Sequence, residues 1–78
     1  MGIPRYYFDI RDNEVFVHDE EGLVLPDLRA AEVEAAHSLA HMAMDMPHGT
    51  EQHHMAIEVR SDEGPLFIST FIFTVVRH

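Results

Sequence analysis

The sequence contains no cysteine, no lysine and no long apolar run, and each absence excludes a class of structure or function. Without cysteine the chain forms no disulfide, holds no thiolate zinc site and offers no thiol nucleophile. No apolar stretch reaches the roughly 18 residues that a transmembrane helix needs, and the first residues lack the basic segment and apolar run of a signal peptide. We therefore expect a soluble cytoplasmic protein with no membrane partner.

Basic residues are also scarce. Five arginines stand against 14 acidic residues, which gives a net charge of −9 at pH 7. Such a surface repels phosphate backbones, so we expect no nucleic-acid partner. The chain is also rich in histidine, with seven of them, so its charge is sensitive to pH near 6.

The sequence has no pattern that indicates catalysis. The four glycines are isolated turn residues, which gives neither a dinucleotide-binding fingerprint nor a phosphate-binding loop. None of the serines stands in a Gly-x-Ser-x-Gly elbow. The paired carboxylates Asp19/Glu20 and Asp62/Glu63 occupy predicted turns, where water opposes the separation of pKa values that acid–base catalysis needs. We expect that the protein is not an enzyme.

At 78 residues the chain is long enough for a single small domain, residues 1–78, organised around one helix. The segment 26–46 is amphipathic, with Asp27 as its N-cap and Pro47 as the stop signal. Its predicted core stripe consists of Leu28, Ala31, Ala35, Leu39, Met42 and Met46.

Alternating apolar and polar residues predict two β-hairpins, one on each side of this helix. Residues 4–11 and 14–18 form the first, with Asp12-Asn13 as its turn and Arg11 opposite Glu14. Residues 54–60 and 66–76 form the second. The expected fold is therefore α+β with the order ββαββ, in which one helix covers one face of a four-stranded, mainly antiparallel sheet.

The last strand is apolar on both of its faces. Leu66, Ile68, Ile72 and Val76 share one face, and Phe67, Phe71, Phe73 and Val75 share the other. Because one helix covers only one face of a sheet, this pattern favours either a central strand beside the first one or contact with another subunit. We expect self-association, most simply a homodimer, through the outer face or the last strand. The expected contact residues are Tyr7, Phe16, Phe67, Phe71, Phe73 and Val75, and Phe71→Asp should then give a monomer.

Three segments carry a family resemblance: the opening Pro4-Arg5-Tyr6-Tyr7-Phe8, the acidic turn Asp19-Glu20-Glu21-Gly22 and the helix start Leu25-Pro26-Asp27-Leu28. In these segments the chain resembles a family of short bacterial proteins catalogued only as a domain of unknown function. The resemblance covers nearly the whole chain and implies a stand-alone ββαββ domain. It brings no catalytic or binding residues.

A second hypothesis is transition-metal binding. Glu34, His37 and His41 share the helix face opposite the predicted core stripe. Two imidazoles at i and i+4 with a carboxylate one turn earlier can bind Zn²⁺ or another divalent transition metal. A metalloprotease is not expected, because Ser38 stands where the catalytic glutamate of a His-Glu-x-x-His helix would be. Neither hypothesis identifies a different protein as the partner, and binding to an unknown protein is a further alternative.

Overall fold

The computed structural model describes residues 4–45 and 52–76. The elements are β1 (Arg5–Asp12), β2 (Val15–Val17), β3 (Leu23–Val24), α1 (Leu28–Met44), β4 (Gln52–Ser61) and β5 (Gly64–Thr74). The strands form one antiparallel sheet in the order β2-β1-β4-β5, with β3 paired to β1 beside β2. The expected α+β fold is confirmed, with the short strand β3 in addition.

The first hairpin turns one residue later than the sequence indicated. Arg11 lies opposite Phe16 and Asp12 lies opposite Val15, so the turn consists of Asn13 and Glu14. Asn13 has a φ of 53°, in the left-handed region that asparagine tolerates. The expected pair of Arg11 with Glu14 is therefore wrong, and Arg11 instead binds Glu58 on β4 at 2.7 Å.

Helix α1 begins as its sequence predicts. The side chain of Asp27 accepts a hydrogen bond of 2.9 Å from the amide of Ala30, which satisfies one of the free amides of the first turn. The stripe Ala31, Ala35 and Leu39 is buried, whereas Leu28 is 46% exposed. The predicted stop at Pro47 and the stripe residue Met46 lie outside the described residues.

The second hairpin places β4, not β5, beside β1. Strand β4 pairs with β1 on one side and with β5 on the other, so β5 is an edge strand of the sheet. The expectation of a central last strand is therefore wrong. The physical reason is that β4 supplies the most buried residues of the sheet. Its inward residues His53, Met55, Ile57 and Val59 are at most 8% exposed, and a central strand buries such residues best.

A bulge at Leu66 decides which face of β5 is buried. Arg60 lies opposite Pro65 and Val59 lies opposite Phe67, so Leu66 has no residue opposite it. An extra residue in one strand moves every following side chain to the other face. As a result Phe67 and Phe71 pack against the core, while Ile68 and Ile72 point away from it.

The core lies between α1 and the inner face of the sheet. It consists of Tyr6, Ala31, Ala35, Leu39, Met55, Ile57 and Val59, with Phe8, Ile10, Phe67 and Phe71 packed against it. The two alanines are fully buried, so α1 approaches the sheet closely at these positions. Within the described residues, no helix has the length and apolar character needed to cross a membrane.

Candidate interaction surface on the last strand

The outer surface of β5 is apolar and exposed to solvent. Ile68 and Ile72 are 64% and 58% exposed, and Thr70 lies between them on the same face. Within residues 4–45 and 52–76, no strand pairs with the free edge of β5. We call the free edge of β5 together with Ile68, Thr70 and Ile72 the β5 surface.

The β5 surface carries no charge. None of the residues from Gly64 to Thr74 is ionisable. Natural edge strands usually avoid association by means of lysines, prolines or shortness. Here the strand has 11 residues, and Pro65 stands at its start. Its remaining length lacks these protective features.

Next to the β5 surface, two outward side chains of β4, Glu58 and Arg60, are ion-paired. Glu58 binds Arg11 at 2.7 Å, and Arg60 binds Asp9 at 3.0 Å. Both arginines also lie over aromatic rings, Arg11 over Phe16 at 4.6 Å and Arg60 over Tyr7 at 4.4 Å. The middle of the outer face is therefore a locally neutral polar band.

The opposite edge of the sheet is closed. On that side β1 pairs with β3 at Arg5 and Tyr6 and with β2 from Ile10 to Asp12. In the gap between these pairings, the Asp19 carboxylate accepts a 3.0 Å hydrogen bond from the amide of Phe8. Strand β2, now outermost, has only three residues. Of the two sheet edges, only that of β5 is long and open in the described part of the chain.

Asp9 is a buried carboxylate on the outer face of the sheet. It is 5% exposed, and it accepts hydrogen bonds from the amide of Asp19 at 2.9 Å and from Arg60 Nε at 3.0 Å. Burial by itself would raise the pKa of Asp9, but these two partners outweigh it and lower the pKa below its usual value. His18 Nδ1 lies 3.4 Å from the same carboxylate. Asp9 therefore holds the loop after β2 against the sheet.

Asp19 organises this loop from within. Its Oδ1 accepts hydrogen bonds from the amides of Glu21 and Gly22, each at 3.1 Å. Burial would raise the pKa of Asp19, but the amide of Phe8 and these two amides lower it overall. A carboxylate with three amide donors is held in its charged form.

The acidic turn packs directly on the opening strand. Arg5 donates a 2.7 Å hydrogen bond to the carbonyl of Glu21. Gly22 has a φ of 71°, and a Cβ there would lie 2.9 Å from the Tyr7 ring and 3.0 Å from the Tyr6 carbonyl. The opening and the acidic turn, two of the segments that carry the family resemblance, therefore form one structural unit.

A cleft of about 450 Å³ lies where this polar band meets β5. Its walls include Asp9, Glu58 and Arg60 on the polar side and Pro65, Leu66 and Ile68 on the apolar side. Asp9 and Arg60 bind each other, so neither of these two charges is available to a ligand in the cleft. It continues the β5 surface toward the polar band.

The predicted contact residues fall into three groups. Phe67 and Phe71 pack against the core, and half-buried Phe73 shares their face opposite His53, so these three are not on the outer face. Tyr7 is on the outer face but half-buried, where its hydroxyl lies 3.2 Å from Asp62. Phe16 and Val75 are each 43% exposed, Phe16 on short strand β2 and Val75 just after β5.

The structure does not assemble the predicted metal ligands. Glu34 is half-buried, His37 and His41 are exposed on α1, and no group of three or more histidine, aspartate or glutamate side chains in the described residues could hold a metal ion. His53, near the start of β4, is instead buried against Asp12 and Asn13, with which its ring nitrogens make hydrogen bonds.

Sequence reasoning missed the cluster of Asp9, Asp19 and Arg60. Two signals were available. The first signal is the position of Asp9, which faces outward from a strand in which Tyr6 and Phe8 point inward. The second is the position of Asp19, three residues before Gly22, where an aspartate side chain can accept hydrogen bonds from the backbone amides of its own turn. The partner Arg60 lies 51 residues from Asp9 in the chain, and only the sheet order brings the two together.

Comparison with known proteins gives a family and no activity. No curated protein and no solved structure matches this chain significantly. The profile of one family, described as "Domain of unknown function (DUF6894)", matches residues 5–72, a range from the first residue of β1 nearly to the end of β5. The chain belongs to this family.

Proposed function

We propose that the protein is a non-enzymatic interaction module that forms a homodimer through the β5 surface. The observation that carries the proposal is the contrast between the two sheet edges: that of β1 is closed by β2, β3 and Asp19, whereas that of β5 is long, uncharged and open in the described residues. An exposed apolar edge strand is a template for pairing with another chain.

Association along this edge would remove part of the exposed aliphatic surface from water. Fully burying an isoleucine side chain contributes about 1.5–3 kcal/mol, and Ile68 and Ile72 are each more than half exposed. Pairing of two β5 strands would shield one side of each isoleucine in both copies, so each contributes a fraction of this value. A small domain, with a core of seven buried side chains among the described residues, gains more from this than a larger protein would.

The test is the substitution Ile72→Lys. Lysine on an edge strand disfavours strand pairing. The substitution also lowers the net negative charge of the chain, which by itself would favour association, so a loss of the dimer cannot result from charge repulsion. We therefore expect a folded monomer where the parent chain is a dimer, measured by light scattering after gel filtration at pH 7.5. The matched control is Val33→Lys, which places the same charge on an exposed residue of α1, 46% exposed, away from β5.

The measured mass of each variant either supports or contradicts the proposal. A dimeric Val33→Lys and a monomeric Ile72→Lys with unchanged circular dichroism support the proposal. A monomeric parent chain, or a dimeric Ile72→Lys, overturns it. Phe71→Asp is unsuitable for this purpose, because Phe71 packs against the core and its replacement would unfold the domain.

We also propose that the protein has no cofactor and no nucleic-acid partner and that it is located in the cytoplasm. Metal binding by Glu34, His37 and His41 is the alternative function, and no observation in the described residues favours it. Calorimetry with Zn²⁺ on the parent chain and on His37→Ala checks it, since a real three-ligand site should lose more than tenfold in affinity.

A further inference from the structure

We infer that the two copies join edge to edge, with antiparallel β5 strands related by a two-fold axis at Thr70. This inference rests on the proposed function and specifies how the same surface is used. In this arrangement Thr70 lies opposite its own copy, and the two sheets become one continuous sheet with both helices on the same face. Each chain contributes the same patch, as an isologous interface requires.

The residue pattern of β5 selects this register. With Thr70 on the axis, Ile68 lies opposite Ile72 of the partner subunit, and the symmetry repeats this pair on the other side. Directly opposite side chains on one face are the unit of sheet stabilisation. Contact between two isoleucines removes apolar surface from water. On the helix side, the same register sets Phe67 opposite Phe73 of the partner subunit.

Neighbouring symmetric registers lose this complementarity. An axis at Ser69 would set Ile68 opposite Thr70 of the partner subunit and Ile72 opposite the partner's Leu66, the residue at the bulge. An axis at Phe71 would set Ile68 opposite the partner's Thr74 and Ile72 opposite the partner's Thr70. Only the axis at Thr70 pairs each of the two exposed isoleucines with an isoleucine.

The size and charge of the contact fit a second copy of the chain. Residues 66–74 would form about nine backbone hydrogen bonds across the axis, against about ten in a typical protein interface. No ionisable residue of β5 enters the contact, and the nearest charges on β4, Glu58 and Arg60, are already paired with Arg11 and Asp9. Two chains that each carry a net charge of −9 can therefore approach along this strip without bringing like charges together.

Single cysteines test the register, because the chain has none of its own. Opposite Cα atoms in an antiparallel pair lie about 4.5–5.5 Å apart, within the range of a disulfide. We expect Thr70→Cys to give a disulfide-linked dimer under mild oxidation. Ile68→Cys alone should stay unlinked, because its own copy lies four residues away, at about 13 Å. A mixture of Ile68→Cys and Ile72→Cys chains should give the mixed disulfide.

The result distinguishes the register from the dimer itself. Cross-linking at Thr70 and in the Ile68→Cys/Ile72→Cys mixture supports the inference. A parent chain that is dimeric by light scattering, but whose Thr70→Cys variant stays unlinked or whose Ser69→Cys variant links more efficiently, overturns the register and leaves the proposed function in place. A monomeric parent chain overturns both.

Discussion

Two carboxylates, Asp9 and Asp19, determine how the loop after β2 folds. Asp9 is buried and Asp19 is half-buried, and each compensates for the lost hydration by accepting hydrogen bonds from backbone amides. Arg60 adds a third connection, since its guanidinium donates to Asp9 and to the carbonyl of Asp19 at 2.7 Å. The loop is therefore held by charge-assisted hydrogen bonds instead of apolar packing.

This predicts that Asp19→Asn lowers stability in a pH-dependent way. The pKa of Asp19 is lower in the folded state than in the unfolded chain, so its stabilising effect is present above about pH 4 and is lost as the pH falls through the lowered folded-state value. We expect a loss of about 1–2 kcal/mol in the free energy of unfolding at pH 6.5. Urea unfolding at pH 6.5 and at pH 3 measures it.

The control for this prediction is Glu20→Gln, since Glu20 is exposed and adjacent to Asp19 in the chain. It should change the free energy of unfolding by less than about 0.5 kcal/mol. The difference between the parent chain and Asp19→Asn should shrink at pH 3, where the carboxyl is largely protonated in the unfolded chain. A difference that stays constant from pH 6.5 to pH 3 would contradict the assigned role.

At the scale of the element, β5 has one structural face and one interaction face. Phe67 and Phe71 pack on the core, and α1 contacts β5 as well as β4. Ile68 and Ile72 contribute little to the core, because each is more than half exposed. Adjacent residues of one strand therefore have different roles.

We expect Phe71→Ala and Ile72→Ala to separate these roles. Removing the Phe71 ring should lower the free energy of unfolding by about 2 kcal/mol or more, because the ring is partly buried and leaves a cavity. Ile72→Ala should change the stability of the monomer by less than about 1 kcal/mol and should weaken the dimer instead. Chemical denaturation of dilute protein reports the first effect, and sedimentation across a range of concentrations reports the second. Equal losses of monomer stability in the two variants would show that the faces are misassigned.

At the scale of the whole molecule, charge opposes association while β5 favours it. A net charge of −9 on each chain produces repulsion between two copies, and the Debye length of about 10 Å at 0.1 M salt limits its range. An interface built from ion pairs would weaken as salt is added. One built from an uncharged strand should strengthen.

We therefore predict that the dimer becomes tighter between 20 and 300 mM NaCl. The dimer dissociation constant, measured by sedimentation at each salt concentration, should fall severalfold because screening reduces the repulsion between the two acidic chains. Val33→Lys serves as a reference, since its smaller net charge should give a weaker salt dependence. A dissociation constant that rises with salt would indicate contacts between opposite charges and not the β5 surface.

Local patterns in the sequence predict the helix, its N-cap and the three long strands β1, β4 and β5. These features depend on local chemistry: the periodicity of apolar residues from Ala31 to Leu39, the side chain of Asp27 and the alternation in β1 and β4. The same local signals indicated turns at Asn13 and near Gly64. Each of these can be recognised from residues close together in the chain.

The buried face of β5 and its position in the sheet depend on tertiary contacts. Both faces of this strand are apolar, so the side-chain pattern fits either orientation, and the one-residue bulge at Leu66 chooses between them. Its position at the edge follows from the pairing of β4 with β1, which joins residues about 50 apart. Such pairings depend on how whole strands fit together, and for this reason the exposed face is that of Ile68 and Ile72 and not that of Phe67 and Phe71.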